Sequence, residues 1–336
     1  MDLFELTRKL VDIESITTNE REVGEFLLAR LSGAVERYNG RAERMEAAPD
    51  RFNIFAHWGE PVVTLSTHMD TVPPHVASRE DVDRIWGRGA CDAKGIIACM
   101  IHAAETLLES GVRNFGLLFV VGEEKNSVGA LAAARNPRGS RYLINGEPTC
   151  NKLALGCKGA LRYEIVASGK MAHSAHPELG ESAIEKLLDA LQDLRAVPLP
   201  VDPLLGSSTL NIGTICGGRA PNIVADSASA EVMIRLVADP APLRAAVAKA
   251  LGGRAMAREV LSIPPVKLGR LKGIDTTVVA YTTDIPEFGG AWGKPFLLGP
   301  GSIHVAHTLE EHVSKRQLVE AVEIYQKMVS QLLTAS

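Results

Sequence analysis

His68 and Asp70 stand two residues apart in the run Thr67-His68-Met69-Asp70. On a strand, that spacing puts both side chains on one face. Imidazole is the commonest transition-metal ligand, and its second nitrogen usually donates to a carboxylate, so the pair can serve as ligand and orienter. A histidine beside a turn accounts for it equally well. Asp92, in Gly89-Ala90-Cys91-Asp92-Ala93-Lys94-Gly95, precedes a helical stretch. Taken alone, it reads better as a helix N-cap than as a ligand. Glu123 and Glu124 are adjacent carboxylates at the end of an apolar run. They repel one another and cost desolvation. A cation relieves that, or one of them holds a raised pKa and works as a base. Taken alone, a solvated turn is the simpler account, and Glu147 in Gly146-Glu147-Pro148 carries the same ambiguity. Later, Gly299-Pro300-Gly301 precedes His304 and His307, then Glu310, Glu311 and His312. One of these histidines could close a metal site; an exposed polar loop is the alternative.

The first three carboxylate or histidine clusters beyond a strand share a pattern. Val62 to Ser66 leads into His68, Gly116 to Val121 into Glu123, and Arg141 to Ile144 into Glu147. Helical stretches lie between them, notably Lys94 to Glu109. Two more open the chain, one with Leu3, Leu6, Leu10 and Ile13 at helical spacing, the next with Val23, Phe26, Leu27 and Leu31. Thr17 and Glu20 have the spacing of a capping box that would start the second helix. Short buried strands alternating with helices indicate an α/β layer fold, in which ligands bind beyond the carboxyl ends of the strands. The polar clusters fall at those ends.

The pattern then changes. Leu161 to Ala167, Thr209 to Ile215, Ala228 to Val237 and Met256 to Ile263 read as strands; Glu181 to Leu194 and Pro240 to Leu251 read as helices. The order β-α-β-β-α-β is that of a split βαβ, ferredoxin-like unit. After Pro264-Pro265 short α/β elements resume, and the chain closes in an amphipathic helix with Leu318, Val322, Tyr325, Val329 and Leu332 on one side. The expected organisation is a discontinuous catalytic domain, 1–157 and 265–336, interrupted by an inserted small domain, 158–264.

Composition removes several classes of function. The chain has 336 residues, 46% hydrophobic and 23% charged, enough to bury a core without staples. Lys plus Arg number 36 against 40 Asp plus Glu, a net charge of −4. That is too mild to argue for nucleic acid or an anionic membrane surface as partner. No apolar run approaches the roughly 18 residues of a membrane span. Asp2 and Glu5 come at once, where a signal peptide would have a basic start and an apolar run. The five cysteines, an odd number with no C-x-x-C pair, fit neither a disulfide framework nor a cysteine zinc site. A reducing, cytoplasmic compartment is expected.

In sequence order, His68-Met69-Asp70, Gly89 through Gly95, Gly122-Glu123-Glu124, Gly146-Glu147-Pro148, and Gly299-Pro300-Gly301 followed by Ala306-His307-Thr308 resemble one family over nearly the whole chain. It is the di-zinc amidohydrolase family of acetylornithine deacetylase, succinyl-diaminopimelate desuccinylase, carboxypeptidase G and aminoacylases. The resemblance implies a three-layer α/β/α zinc-hydrolase catalytic domain with an inserted ferredoxin-like α+β lid domain through which two copies form a homodimer. It implies two Zn2+ per chain: His68, Asp92 and Glu147 would hold one, and Asp92, Glu124 and His307 the other, with Asp92 bridging. Imidazole and carboxylate ligands without thiolate also suit Co2+ or Mn2+. Glu123 would be the general base, and Asp70 would orient His68. His173, in Lys170-Met171-Ala172-His173-Ser174, would reach into the partner subunit's site and stabilise the oxyanion. Asn222 and Arg235 would contact substrate, arginine being suited to a bidentate grip on a carboxylate. His307 is preferred to His304 because Ala-His-Thr matches the family motif.

The implied reaction is hydrolysis of the amide of an N-acyl amino acid, as by acetylornithine deacetylase in arginine biosynthesis; the alternative is a metallo-dipeptidase or carboxypeptidase using the same residues. A catalytically silent scaffold on this fold would lack a ligand or the base, and none is missing. Before Thr282-Thr283-Asp284, where relatives often carry small residues, this chain has Tyr281, whose ring could narrow the substrate pocket.

Overall fold

The computed structural model describes residues 1–335. They divide into two compact units, one of residues 1–155, 268–277 and 283–335, the other of Gly156–Lys267 and Val278–Thr282. The boundaries fall two or three residues from those suggested by sequence, and residues 278–282 join the second unit, where the Lys158 N–H donates to the Val279 carbonyl.

The first unit is built on a mixed sheet. Its strands run in the order Arg41–Ala48, Arg51–Trp58, Phe115–Val120, Val63–His68, Tyr142–Asn145, Lys294–Leu297 and Leu153–Cys157. The central strands pair in parallel, with His68 opposite Val120 and both Ser66 and Leu297 opposite Asn145. Val63–His68 and Phe115–Val120 are buried throughout. This is the pattern of strands covered on both faces, and it explains why they read as unbroken apolar runs.

Helices α1 (Leu3–Asp12), α2 (Arg21–Arg37) and α3 (Lys94–Glu109) pack on one face. The closing helix α7 (Lys315–Thr334) lies with them, burying Leu318, Tyr325, Val329 and Leu332. On the other face α4 (Val128–Arg135) packs with Phe288 and Trp292 over Phe55, Leu118, Val120 and Leu143. These are the three layers α/β/α.

The capping expectation at Thr17 is corrected. Glu20 is the N-cap residue of α2, with no side-chain cap, and its carboxylate instead accepts from the buried Arg51 guanidinium. Thr17 is drawn away by a partner distant in sequence, as described below. A capping box does form one helix earlier, between Asp2 and Glu5 at the start of α1.

The second unit is an antiparallel sheet in the order Thr209–Gly217, Ser227–Leu236, Gly159–Ser168, Met256–Ile263. Helices α5 (Ala183–Arg195) and α6 (Pro240–Leu251) cover it. Their Leu187, Leu191 and Val247 close over Leu161, Ile165, Val232 and Ile234. This is the ferredoxin-like α+β arrangement. Thr209–Gly217 and Met256–Ile263 are the outer strands, and both are largely exposed.

Candidate metal centre

The carboxyl ends of three adjacent parallel strands bring the sequence clusters together. His68 is the last residue of its strand, Gly122-Glu123-Glu124 follow Phe115–Val120, and Gly146-Glu147 follow Tyr142–Asn145. α3 packs against Gly146: a Cβ there would sit 2.4 Å from Ile96 Cγ2 and 2.7 Å from Met100 Cε. Only glycine lets the chain pass α3 and deliver Glu147. Gly122 turns the chain at φ +82°, a conformation that favours glycine.

Asp92 stands before α3 but does not cap it; the N-cap residue is Ala93, with no side-chain hydrogen bond. Its carboxylate is free for other work. Oδ1 lies 2.9 Å from His68 Nε2, and Oδ2 lies 3.5 Å from His307 Nε2. His307 Nε2 also meets Glu124 Oε1 at 3.0 Å. Ligand atoms of His68, Asp92 and Glu124 all lie within 4.8 Å of one another. His304, the rival in sequence, has its backbone N–H on Ser302 and is exposed.

Asp70 does more than the sequence suggests. It is the carbonyl of Asp70, at 2.9 Å, that accepts from His68 Nδ1; the nearer carboxylate oxygen is 3.6 Å away. The carboxylate instead gathers the backbone N–H groups of Gly122, Glu123 and Glu124 at 2.9, 3.1 and 3.2 Å, and the Thr17 hydroxyl at 2.8 Å. Asp70 therefore fixes both His68 and the loop of Glu123 and Glu124.

The electrostatics of the cluster favour added positive charge. Burial, then the Glu147 carboxylate, hold the Glu123 pKa well above the ordinary carboxylate value. Burial and then Asp92 do the same to Glu147. Burial opposes charge on His68, but hydrogen bonds to Asp70 and Asp92 outweigh it and raise its pKa well above that of free imidazole. Hydrogen bonds to Asp92 and Glu124 push His307 up to about 10. Buried carboxylates whose charged form is disfavoured by burial, grouped with two histidines, are suited to bind divalent metal. The donor set, imidazole and carboxylate without thiolate, fits zinc and equally cobalt or manganese.

Asp284 belongs to the same neighbourhood and is absent from the sequence-based set of site residues. It is 1% exposed, and neither carboxylate oxygen has a hydrogen-bond partner. Burial pushes its pKa up to about 7; the nearby Ser127 hydroxyl and His68 offset only part of this. An aspartate bound to its proton more tightly in the folded state contributes stability at low pH that is lost as pH rises through the folded pKa. In metal-free protein, Asp284→Asn is therefore expected to be more stable than the parent at pH 8 but not at pH 4. The shift from 3.8 to about 7 corresponds to roughly 4 kcal/mol. Urea unfolding at both pH values checks this; parallel pH profiles for the two proteins would refute it.

The remaining expected residues lie on the second unit. His173 is exposed and bridges to Ile223, while the Ser174 N–H donates to the Asn222 carbonyl, so the segments of His173 and Asn222 adjoin. His173 Nδ1 accepts the Ala175 N–H at 3.1 Å, which leaves the proton of the neutral ring on Nε2. Arg235, on Ser227–Leu236, is partly buried and has no carboxylate partner among the described residues; desolvation lowers its pKa. No structural ion pair therefore accounts for its position among the described residues.

Residues 64–331 match the family described as Peptidase family M20/M25/M40. An M20-domain protein of Schizosaccharomyces pombe is 40% identical over 98% of this chain and 84% of its own length. A protein of Aspergillus terreus named as a probable carboxypeptidase is 40% identical over 96% of this chain and 84% of its own. The crystal structure of aminopeptidase PepT from Bacillus cereus superposes with a TM-score of 0.81 at 20% identity, covering 98% of each chain; at that identity the likeness is one of fold.

Proposed function

The chain belongs to peptidase family M20/M25/M40 and is a metal-dependent hydrolase, and from that premise we propose that it is a carboxypeptidase acting on short peptides. The observation that carries this reading is the 40% identity, over nearly the whole chain, to a relative named as a carboxypeptidase. It favours the peptidase alternative over the acetylornithine deacetylase-like reading of the sequence. Arg235 agrees with it: a desolvated guanidinium without an acidic partner suits a substrate's terminal carboxylate. Asn222 is proposed as its companion contact.

His68, Asp92 and Glu147 would hold one zinc ion and Asp92, Glu124 and His307 a second, with cobalt or manganese as substitutes. When bound, such a pair polarises the scissile carbonyl and lowers the pKa of water. Asp92 turns one oxygen to each histidine, the disposition a bridging ligand needs. Glu123 takes the proton of the attacking water and returns it to the departing amine; its high proton affinity suits holding that proton between the two transfers. His173 Nε2–H donates to the oxyanion. We place this donor in the partner subunit of a homodimer formed through the inserted unit, a reading supported by the open edge of Thr209–Gly217, where Ile215 is 53% exposed. An odd number of cysteines, five, with no C-x-x-C pair, fits work in the cytoplasm. No helix among the described residues is long and apolar enough to cross a membrane.

A substrate panel tests the proposal. Dipeptides with a free C-terminal carboxylate are expected to give the highest kcat/KM. Amidation of that carboxylate should lower it by about 10–100-fold, the worth of a lost charged hydrogen bond. Preference for N-acetylornithine over every dipeptide would return the enzyme to the deacylase reading.

A further inference from the structure

Two of the loops that carry proposed ligands are each gathered by a buried carboxylate. Asp70 holds Gly122 to Glu124 by their backbone N–H groups. Glu311 does the same for the other loop. Its Oε1 accepts from the N–H groups of Gly89, Asp92 and Cys91 at 2.9, 3.2 and 3.3 Å. In both cases a proposed ligand, Glu124 or Asp92, is itself one of the donors. The second oxygen of Glu311 accepts from Arg88 Nη1 at 2.6 Å, and the same nitrogen donates to the Thr308 carbonyl at 3.2 Å. The Glu311 carbonyl accepts from the Gly87 N–H at 3.0 Å. Both Glu311 and Arg88 are 2% exposed.

We propose that Glu311 is a positioning residue of the metal centre, which sets Asp92 and His307 against each other through one buried side chain. The inference rests on the reading of Asp92 and His307 as ligands. Glu311 ends the same short loop that carries His307, so a contact from it to Asp92 spans the two ligand segments. His307 has φ +64°, a left-handed conformation that a non-glycine residue keeps only when its surroundings fix it. Arg88, held by Glu311, pins the carbonyl of the next residue. Stability alone is a poor reason for the pair, since replacing a buried ion pair by apolar residues is often neutral or stabilising. Partners of this kind fix ligand orientation, and their loss typically weakens metal binding.

The test uses metal-free protein and zinc alone, titrated against a chromophoric chelator. Glu311→Gln keeps the shape, loses the charge and turns an N–H toward Arg88. Glu311→Asp keeps the charge and shortens the reach. Both are expected to weaken zinc binding by about 10–100-fold, and to alter the visible spectrum of the cobalt-loaded protein, with far-UV circular dichroism unchanged. Arg88→Lys, which gives up the fork between Glu311 and Thr308, should shift both readouts in the same direction. A merely structural role would lower the thermal midpoint and leave zinc affinity and the cobalt spectrum of the folded protein alone. That result overturns the proposal, as does failure of all three variants to fold. If the parent protein itself binds no zinc, it is the metal-centre reading that falls.

Discussion

Glu123→Gln is expected to lower kcat by about 10³–10⁴-fold, the contribution of a positioned general base, with metal content unchanged. Glutamine fills the same volume and cannot take a proton. The loop around it should hold, because the N–H groups of residues 122–124 still reach Asp70. Glu123 also stands outside the cluster of His68, Asp92 and Glu124 whose ligand atoms converge. Kinetics on a dipeptide with metal analysis of the same sample make the check. Activity within about tenfold of the parent would move the base to another carboxylate of the neighbourhood, Glu147 or Asp284.

His173→Ala is the second large loss, about 10²–10³-fold in kcat, as for removal of one oxyanion donor. The physical ground is the ring's own hydrogen bonding: Nδ1 is taken by the Ala175 N–H, which puts the ring's proton on Nε2, on an exposed segment. If the donor serves the partner subunit, mixing inactive Glu123→Gln with inactive His173→Ala should restore activity. A heterodimer then contains one site with both groups intact. Absence of recovery, with subunit exchange verified, would remove the partner-subunit role, and near-normal activity of His173→Ala would remove the role altogether.

Much of this was legible because it is local. Helix α3, helix α6 and the strand Gly159–Ser168 fall where apolar periodicity puts them, since each buries its apolar residues against a neighbouring element. His68, Glu124 and Glu147 could be read because each sits at or just past the end of a strand, and parallel strands bring their carboxyl ends together whatever lies between them in sequence. Thr17 shows the limit. Its spacing to Glu20 is that of a cap, yet its hydroxyl serves Asp70, and no local pattern reveals a partner that far along the chain. Glu311 and Asp284 are illegible for the same reason. One sits among exposed charged residues, the other after two threonines, and only folding shows that both are buried beneath the site. The substrate was the least legible part, because deacylase and peptidase share every proposed ligand and the base.

The place of Lys294–Leu297 in the sheet has a consequence for how the molecule is made. This strand lies between Tyr142–Asn145 and Leu153–Cys157, both of which leave the ribosome far earlier. At ordinary elongation rates the gap between them stays open for roughly 10–30 s. Throughout that interval the nascent chain carries an unpaired edge beside Leu143 and Ile144, the kind of edge that recruits other strands. The inserted unit, whose residues are nearly all made by Lys267, can condense before its host is finished. A chain cut short anywhere before Leu297 would thus lose a plank from the middle of the floor, and its fate should be aggregation or degradation rather than a smaller enzyme.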